Sequence, residues 1–464
     1  MSYEWGDPMR KGIQHGLRKA GDFISALVFS GLTVTFGLPV GTAPAGEVEP
    51  ALKVGDVLDS SNWELARDLL PPEILRHYKE GQYRNRIVDY PPGTMQWERS
   101  FNEATRQNAN KLAVDERGTI VDKETGKQPP FYFGVPFPDI DPNDPDAAVK
   151  IIWNQFLAYW VLGDMHNRTL VVMLGPAGID RQFIGDAWFK FWDGQIPKYR
   201  LENTLNLMSQ FVGNAVEPAD LQGTATLTWR YRDPTKRDSV WAYVPALRRV
   251  RAVSPANRSD GYLGSDFSGD DGFFFDGKPE DFTWKLVGKQ DALRIVDPES
   301  IGGQLPVQPI PGGGFVGLTD RNPPTVGYRT PGWTGVSWAP TDAGLARRPM
   351  WIIEATPRDR YYLYGRMQMW IDAEDWRGAW NRKFSWGGEP VQVFQMLVSK
   401  NHPTGGDDPE WITVGTQVWA CAENVKLNRA TLGGMRPYPA AAFQRRVPTN
   451  RAIFDPAALG RLGK

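Results

Sequence analysis

Three carboxylates crowd one short segment: Asp270, Asp271 and Asp276 flank Gly272 and the run Phe273, Phe274, Phe275. Glycoside cleavage uses a pair of such groups, one as acid and one as base or nucleophile, so the enzymatic reading of this chain is a carboxylate-dependent hydrolase. The remaining inventory gives that reading little support. Beyond the first 45 residues the histidines are His77, His166 and His402, in unrelated settings, and neither HExxH nor GxSxG occurs. The one cysteine, Cys421, excludes an intrachain disulfide and a cysteine-based metal centre. The acidic loop Asp139, Asp141, Asn143, Asp144, Asp146 fails as a calcium loop, because Asp144 stands where the glycine belongs and Lys150 where the last carboxylate belongs. Gly-Asp pairs also make turns, and nothing in the sequence calls for a metal or cofactor.

The elements around this segment read as sheet. Ala225, Leu227, Trp229 and Tyr231 alternate with Thr226, Thr228, Arg230 and Arg232, the period of a strand with one apolar and one polar face. The turn DPTKRD, a strand over 240–244 and a basic strand over 247–251 complete an antiparallel meander. Further strands are expected at 169–174, 188–191, 200–211, 282–286, 350–355, 361–372, 391–398, 411–420 and 423–428. In the 361–372 run, Tyr361, Leu363, Met367, Met369 and Ile371 share one face. Residues 302–342, rich in Gly and Pro, read as a long irregular insertion.

Helices are expected near the start. Ser60-Ser61-Asn62 can cap a helix through Trp63, Ala66, Leu69 and Leu70, which Pro71-Pro72 ends and restarts through Tyr78. Asp144 can cap a second, with Pro145 at its first position; its body through Val161 is apolar all round, as in a buried core helix.

Residues 1–45 read as a signal peptide: Arg10, Lys11, Arg18 and Lys19 precede an apolar run from Phe23 to Val40 and the exit Ala43-Pro44-Ala45. Met9 is an alternative start to Met1. Residues 46–464 are then one exported domain with no membrane span. The net charge of −1 gives no support to a nucleic-acid partner. With 41% hydrophobic and 12% aromatic residues, stability must come from burial.

The elements SNWELARDLLPPEILRHYKEGQY, GVPFPDIDPNDPDAAVKIIWN, WAYVPALRRVRA with SDGYLGSDFSGDDGFFFDGK, RRPMWIIEATPRDRYYLYGRMQMWID and FDPAALGRLGK together resemble the bacterial family known as domain of unknown function 1329. That family is similar to the LolA and LolB lipoprotein carriers. The resemblance implies an α+β, mainly antiparallel fold: an incomplete, half-pipe barrel wrapped over helices, with an apolar concavity. It also implies a Gram-negative periplasmic or outer-membrane-associated protein that holds a lipid-like ligand and works with an RND-type exporter and an outer-membrane protein. It supplies no catalytic residues. On this reading Leu227, Trp229, Tyr231, Ile353, Met367 and Met369 line the concave face, or else pack on the protein's own helices. Arg248, Arg249 and Arg251 are the candidate docking patch of a carrier or of a structural adaptor in an export complex.

Overall fold

Strands with alternating burial dominate the computed structural model, which describes residues 51–302, 305–317, 325–403, 415–435 and 443–462. The expected signal peptide lies outside the described residues. Two antiparallel meanders carry the architecture. The first comprises β1 (Met165–Gly175), β2 (Gly178–Phe191), β3 (Leu207–Glu217), β4 (Ala225–Tyr231), β5 (Ser239–Val244) and β6 (Arg249–Val253). The second comprises β7 (Phe282–Val296), β8 (Gly344–Pro357), β9 (Arg366–Asp372), β10 (Gly378–Phe384), β11 (Pro390–Pro403), β12 (Gly415–Asn424) and β13 (Arg429–Met435). Each strand pairs with its chain neighbour within a meander, and β13 pairs with β1, joining the halves. The terminal strands β6 and β7 do not pair with each other among the described residues, so the barrel is open.

Helices fill the second half on both faces. α1 (Pro72–Lys79) covers the outer face, where Trp370, Trp380, Leu397 and Trp419 are buried. Two further helices are α2 (Arg99–Asn108) and α3 (Ala147–Trp160). Every residue of α3 except Lys150 is buried, and the helix packs on the inner face against Ile353, Met367, Met369 and Met396. A sheet covered on both sides needs apolar residues in both phases, which is why β8, β9 and β11 carry long apolar runs. The first meander is covered differently. The helical turn α4 (Pro298–Gly302) follows β7, and the C-terminal α5 (Pro456–Leu462) lies on one face of β4, β5 and β6.

Several boundaries depart from the sequence reading. Only a 3-10 turn forms at Trp63–Ala66, followed by a turn closed by the Leu69 N–H to the Ala66 carbonyl at 3.0 Å, and Pro71 disfavours helix at the residue before it. Asp144 does not cap α3; its carboxylate takes the Asp146 N–H at 2.8 Å and pairs with Lys150, and the helix begins at Ala147. Residues 200–206 precede β3, and 425–428 form the turn between β12 and β13. Residues 361–364 are loop, and β9 starts at Arg366. The 302–342 insertion carries strands Leu305–Pro309 and Phe315–Gly317 and buries Val326 and Trp338 in the outer cluster; residues 303–304 and 318–324, like 411–414 of an expected strand, lie outside the described residues.

Candidate functional site

A cavity of about 620 Å3 lies on the face of the first meander opposite α5. Its sheet wall is built from alternate residues: Thr169 and Val171 of β1, Ala187 and Phe189 of β2, Phe211 of β3 and Thr228 of β4. The period of two puts all of these on one face. Tyr159 of α3 and Phe394 of β11 close the end nearest the second meander, and the segment 258–276 crosses the opening with Tyr262, Phe267 and Phe273 turned inward. The lining is predominantly apolar.

That crossing segment is held by charge. The guanidinium of Arg258 bridges Asp238 and Asp270, and its Nη2 donates to the Asp276 carbonyl at 2.6 Å. Arg230, on the cavity face of β4, donates to Asp238 Oδ2 at 3.1 Å and to Asp276 Oδ1 at 3.1 Å. Tyr362 Oη donates to Asp270 Oδ2 at 2.9 Å. The Ser268 backbone N–H donates to Asp271 Oδ2 at 2.8 Å, and Asp271 also pairs with the buried Lys383. The electrostatics follow. Burial opposes ionisation of Asp238, but Arg230 and Arg258 hold its carboxyl below the ordinary value. At Asp276 burial prevails and its carboxyl sits above the ordinary value in spite of the same arginines. All three carboxylates of the hydrolase reading are ion-paired around this segment, and Asp271 and Asp276 also line the cavity.

The segment is also strained. Phe273 and Phe274 have φ of +51° and +88°, conformations that cost of order 1–3 kcal/mol each in a side-chain-bearing residue. Burial of Phe274 and Phe275, neither of them exposed, offsets the cost. Gly378 makes room: a Cβ there would lie 2.1 Å from the Phe274 ring.

None of the six expected lining residues reaches the cavity. Leu227 is buried with Phe454 and Leu459 against the C-terminal segment, Trp229 donates its Nε1–H to the Phe454 carbonyl at 2.8 Å, and Tyr231 packs on Trp192 and Leu207. Ile353, Met367 and Met369 pack in the cluster around α3. The apolar face of β4 therefore meets the protein's own helix, and its Thr face meets the cavity. Leu227→Ala is accordingly expected to lower the unfolding free energy by about 2–4 kcal/mol while leaving ligand uptake unchanged; urea denaturation and fluorescent fatty-acid titration of one preparation check both parts. Arg248, Arg249 and Arg251 are exposed on and beside β6, whose outer edge carries no strand among the described residues.

The histidines have structural partners. His77 contacts Glu423 at 2.7 Å, both buried, and His166 stacks on Trp188 at 3.6 Å and pairs with Asp186. The side chain of His402 lies outside the described residues. No cluster of three or more His, Cys, Asp or Glu that could hold a metal occurs among the described residues, and none of the described helices is long and apolar enough to cross a membrane.

The chain is thus an open antiparallel sheet with a largely apolar cavity under a crossing segment. The chain belongs to the family described as protein of unknown function (DUF1329), whose pattern matches residues 57–459. Among solved structures it is similar to a Vibrio parahaemolyticus domain assigned to outer membrane lipoprotein sorting, with 14% identity, 68% of this chain and 100% of the other covered, and a TM-score of 0.44. A DUF1329 family protein from Desulfovibrio piger gives 14% identity, coverage of 68% and 100%, and a TM-score of 0.41. A LolA superfamily protein from Nitrosomonas europaea gives 11%, 66% and 97%, and 0.39. No curated protein matches the chain.

Proposed function

We propose that the protein is a non-catalytic carrier that holds one lipid-like, hydrophobic molecule, and that it works in the Gram-negative periplasm or at the outer membrane. The observation that carries this reading is the cavity itself: about 620 Å3 of predominantly apolar space beneath the 258–276 segment, within the size range of small-molecule sites. Removing an acyl chain from water there stabilises the complex by about 25 cal/mol per Å2 of apolar surface buried. Thr169 and Thr228 supply hydroxyls along one wall, where a polar head or ester can bond. The ion-paired Asp270, Asp271 and Asp276 favour a carrier over a hydrolase. The exposed β6 edge with Arg248, Arg249 and Arg251 supports a second, adaptor-like role toward an RND-type exporter or an outer-membrane partner.

Native mass spectrometry of protein purified from the periplasm tests the carrier reading: a co-purifying amphiphile is expected, and repeatedly ligand-free preparations would overturn it. Ala187→Trp, which places an indole in the cavity from the middle of β2, is expected to weaken fatty-acid uptake at least ~10-fold, or about 1.4 kcal/mol, with little change in the unfolding midpoint. Unaltered uptake in that variant would remove the cavity from consideration.

A further inference from the structure

Two adjacent turns at the end of the second meander expose large apolar side chains. Tyr361 is 89% exposed, Leu363 51% and Trp386 49%. The turns abut: Trp386 Nε1 donates to the Tyr362 carbonyl at 2.8 Å, and a Cβ on Gly365 would lie 2.6 Å from Trp386 Cα. Tyr362 and Tyr364, between the exposed residues, are buried, so the loop is anchored by one set of side chains and presents the other. Arg358 and Arg360 are exposed beside them, and Arg358 donates its Nε–H to the Glu280 carbonyl at 3.1 Å. Arg237, 73% exposed, lies 4.0 Å from Asp359.

We propose that this tip seats the protein on a lipid bilayer carrying anionic headgroups. Trp, Tyr and Leu are the side chains that settle at the boundary between headgroups and acyl chains. The flanking arginines are complementary to a negative lipid surface. Lone exposed apolar residues need no explanation, but a cluster rimmed by charge marks a contact. The tip is also joined to the cavity's crossing segment: Leu363 donates its N–H to Ser259 Oγ at 2.9 Å, and Tyr362 donates to Asp270. A bilayer under the tip would therefore lie beside the segment that covers the cavity. This inference goes beyond the carrier reading and stands on the exposed tip, whatever the cavity holds.

Flotation of the full chain with vesicles tests it. The wild type is expected to float with phosphatidylcholine–phosphatidylglycerol vesicles and only weakly with phosphatidylcholine alone. Tyr361→Ser/Leu363→Ser removes only exposed side chains and is expected to cut the bound fraction about tenfold; adding Trp386→Ser abolishes it. Arg358→Gln/Arg360→Gln is expected to erase the preference for phosphatidylglycerol, whereas Arg249→Gln/Arg251→Gln on β6 leaves flotation unchanged. Fatty-acid uptake in solution, measured in parallel, is expected to be the same in wild type and tip variants, which separates a failure here from a failure of the carrier reading. The proposal is overturned if the wild type floats with neither vesicle or the double Ser variant floats as the wild type does. A dimer in solution that Tyr361→Ser/Leu363→Ser dissociates would likewise overturn it, assigning the tip to a second copy of the chain.

Discussion

Replacing Arg258 with Ala is expected to lower the unfolding free energy by about 3–5 kcal/mol, the usual consequence of leaving buried charges without their partner. Asp238 is almost wholly buried, with side-chain exposure of 4%, and Asp270 with 5%. Without Arg258, Asp270 keeps only the Tyr362 hydroxyl of the contacts described above, and Arg230 alone must serve Asp238 and Asp276. Lysine is a poor substitute, because one ammonium cannot present the planar fork that bridges these groups. The damage is expected to be local as well as global: the 258–276 segment should become the first site of proteolytic cleavage and lose amide protection ahead of the sheets. The acid limb of stability responds in a defined sense. The folded pKa of Asp238 is depressed, so its contribution is present above the unfolded value and is lost as pH falls through the lower folded value. Arg258→Ala removes one of the two arginines that depress it and should flatten that limb. A loss below about 1 kcal/mol in urea, the range of exposed ion pairs, would mean that water already screens the network.

How much of this was readable in the chain depends on how local each feature is. The alternation in β4 correctly separates Leu227 from Thr226, because a strand's period is a local property. Which face meets a helix is not local: the partner of Leu227 is Leu459, far along the chain. The polar phase lines the cavity and carries the buried Arg230, which the alternation alone does not reveal. The 361–372 run shows the opposite failure. Its apolar alternation is continuous, but Gly365 separates loop from strand, so Tyr361 and Leu363 point outward while Met367 and Met369 are buried. A helix apolar on every side has few ways to be satisfied, and α3 is buried as its composition requires. The crossing segment was legible only as turns. Its ion pairs reach back to Arg230 and Asp238 and forward to Lys383, and no spacing rule connects those positions. The Thr-rich phase of a strand that also carries an arginine was the signal available for the cavity wall.

Glu280→Gln is expected to remove a pH dependence of about 3 kcal/mol from the stability curve. Glu280 is 6% exposed in the turn Pro279–Asp281 that leads into β7. One carboxylate oxygen receives the Thr119 hydroxyl at 3.3 Å, and the other has no hydrogen-bond partner among the described residues. Burial pushes its pKa up to about 7, against the opposing pull of Lys278. The unfolded chain gives up this proton near the ordinary glutamate value, whereas the folded chain keeps it to about 7. Stability therefore falls as pH rises between those two values, and above about 7 the loss is complete. At 1.36 kcal/mol per pH unit, the gap between 4.5 and about 7 amounts to roughly 3 kcal/mol. Glutamine mimics the protonated carboxyl and does not titrate. At pH 4 the two proteins should unfold at similar urea concentrations, and at pH 8 the variant should be the more stable by about the full 3 kcal/mol. The direction is opposite to that expected at Asp238, so the two groups can be told apart in one pH series: Arg258→Ala acts on the acid limb and Glu280→Gln on the neutral one. Parallel curves for wild type and Glu280→Gln from pH 4 to pH 8 would mean that the carboxylate is ionised and paired in the folded protein, and burial would then not be what governs its charge.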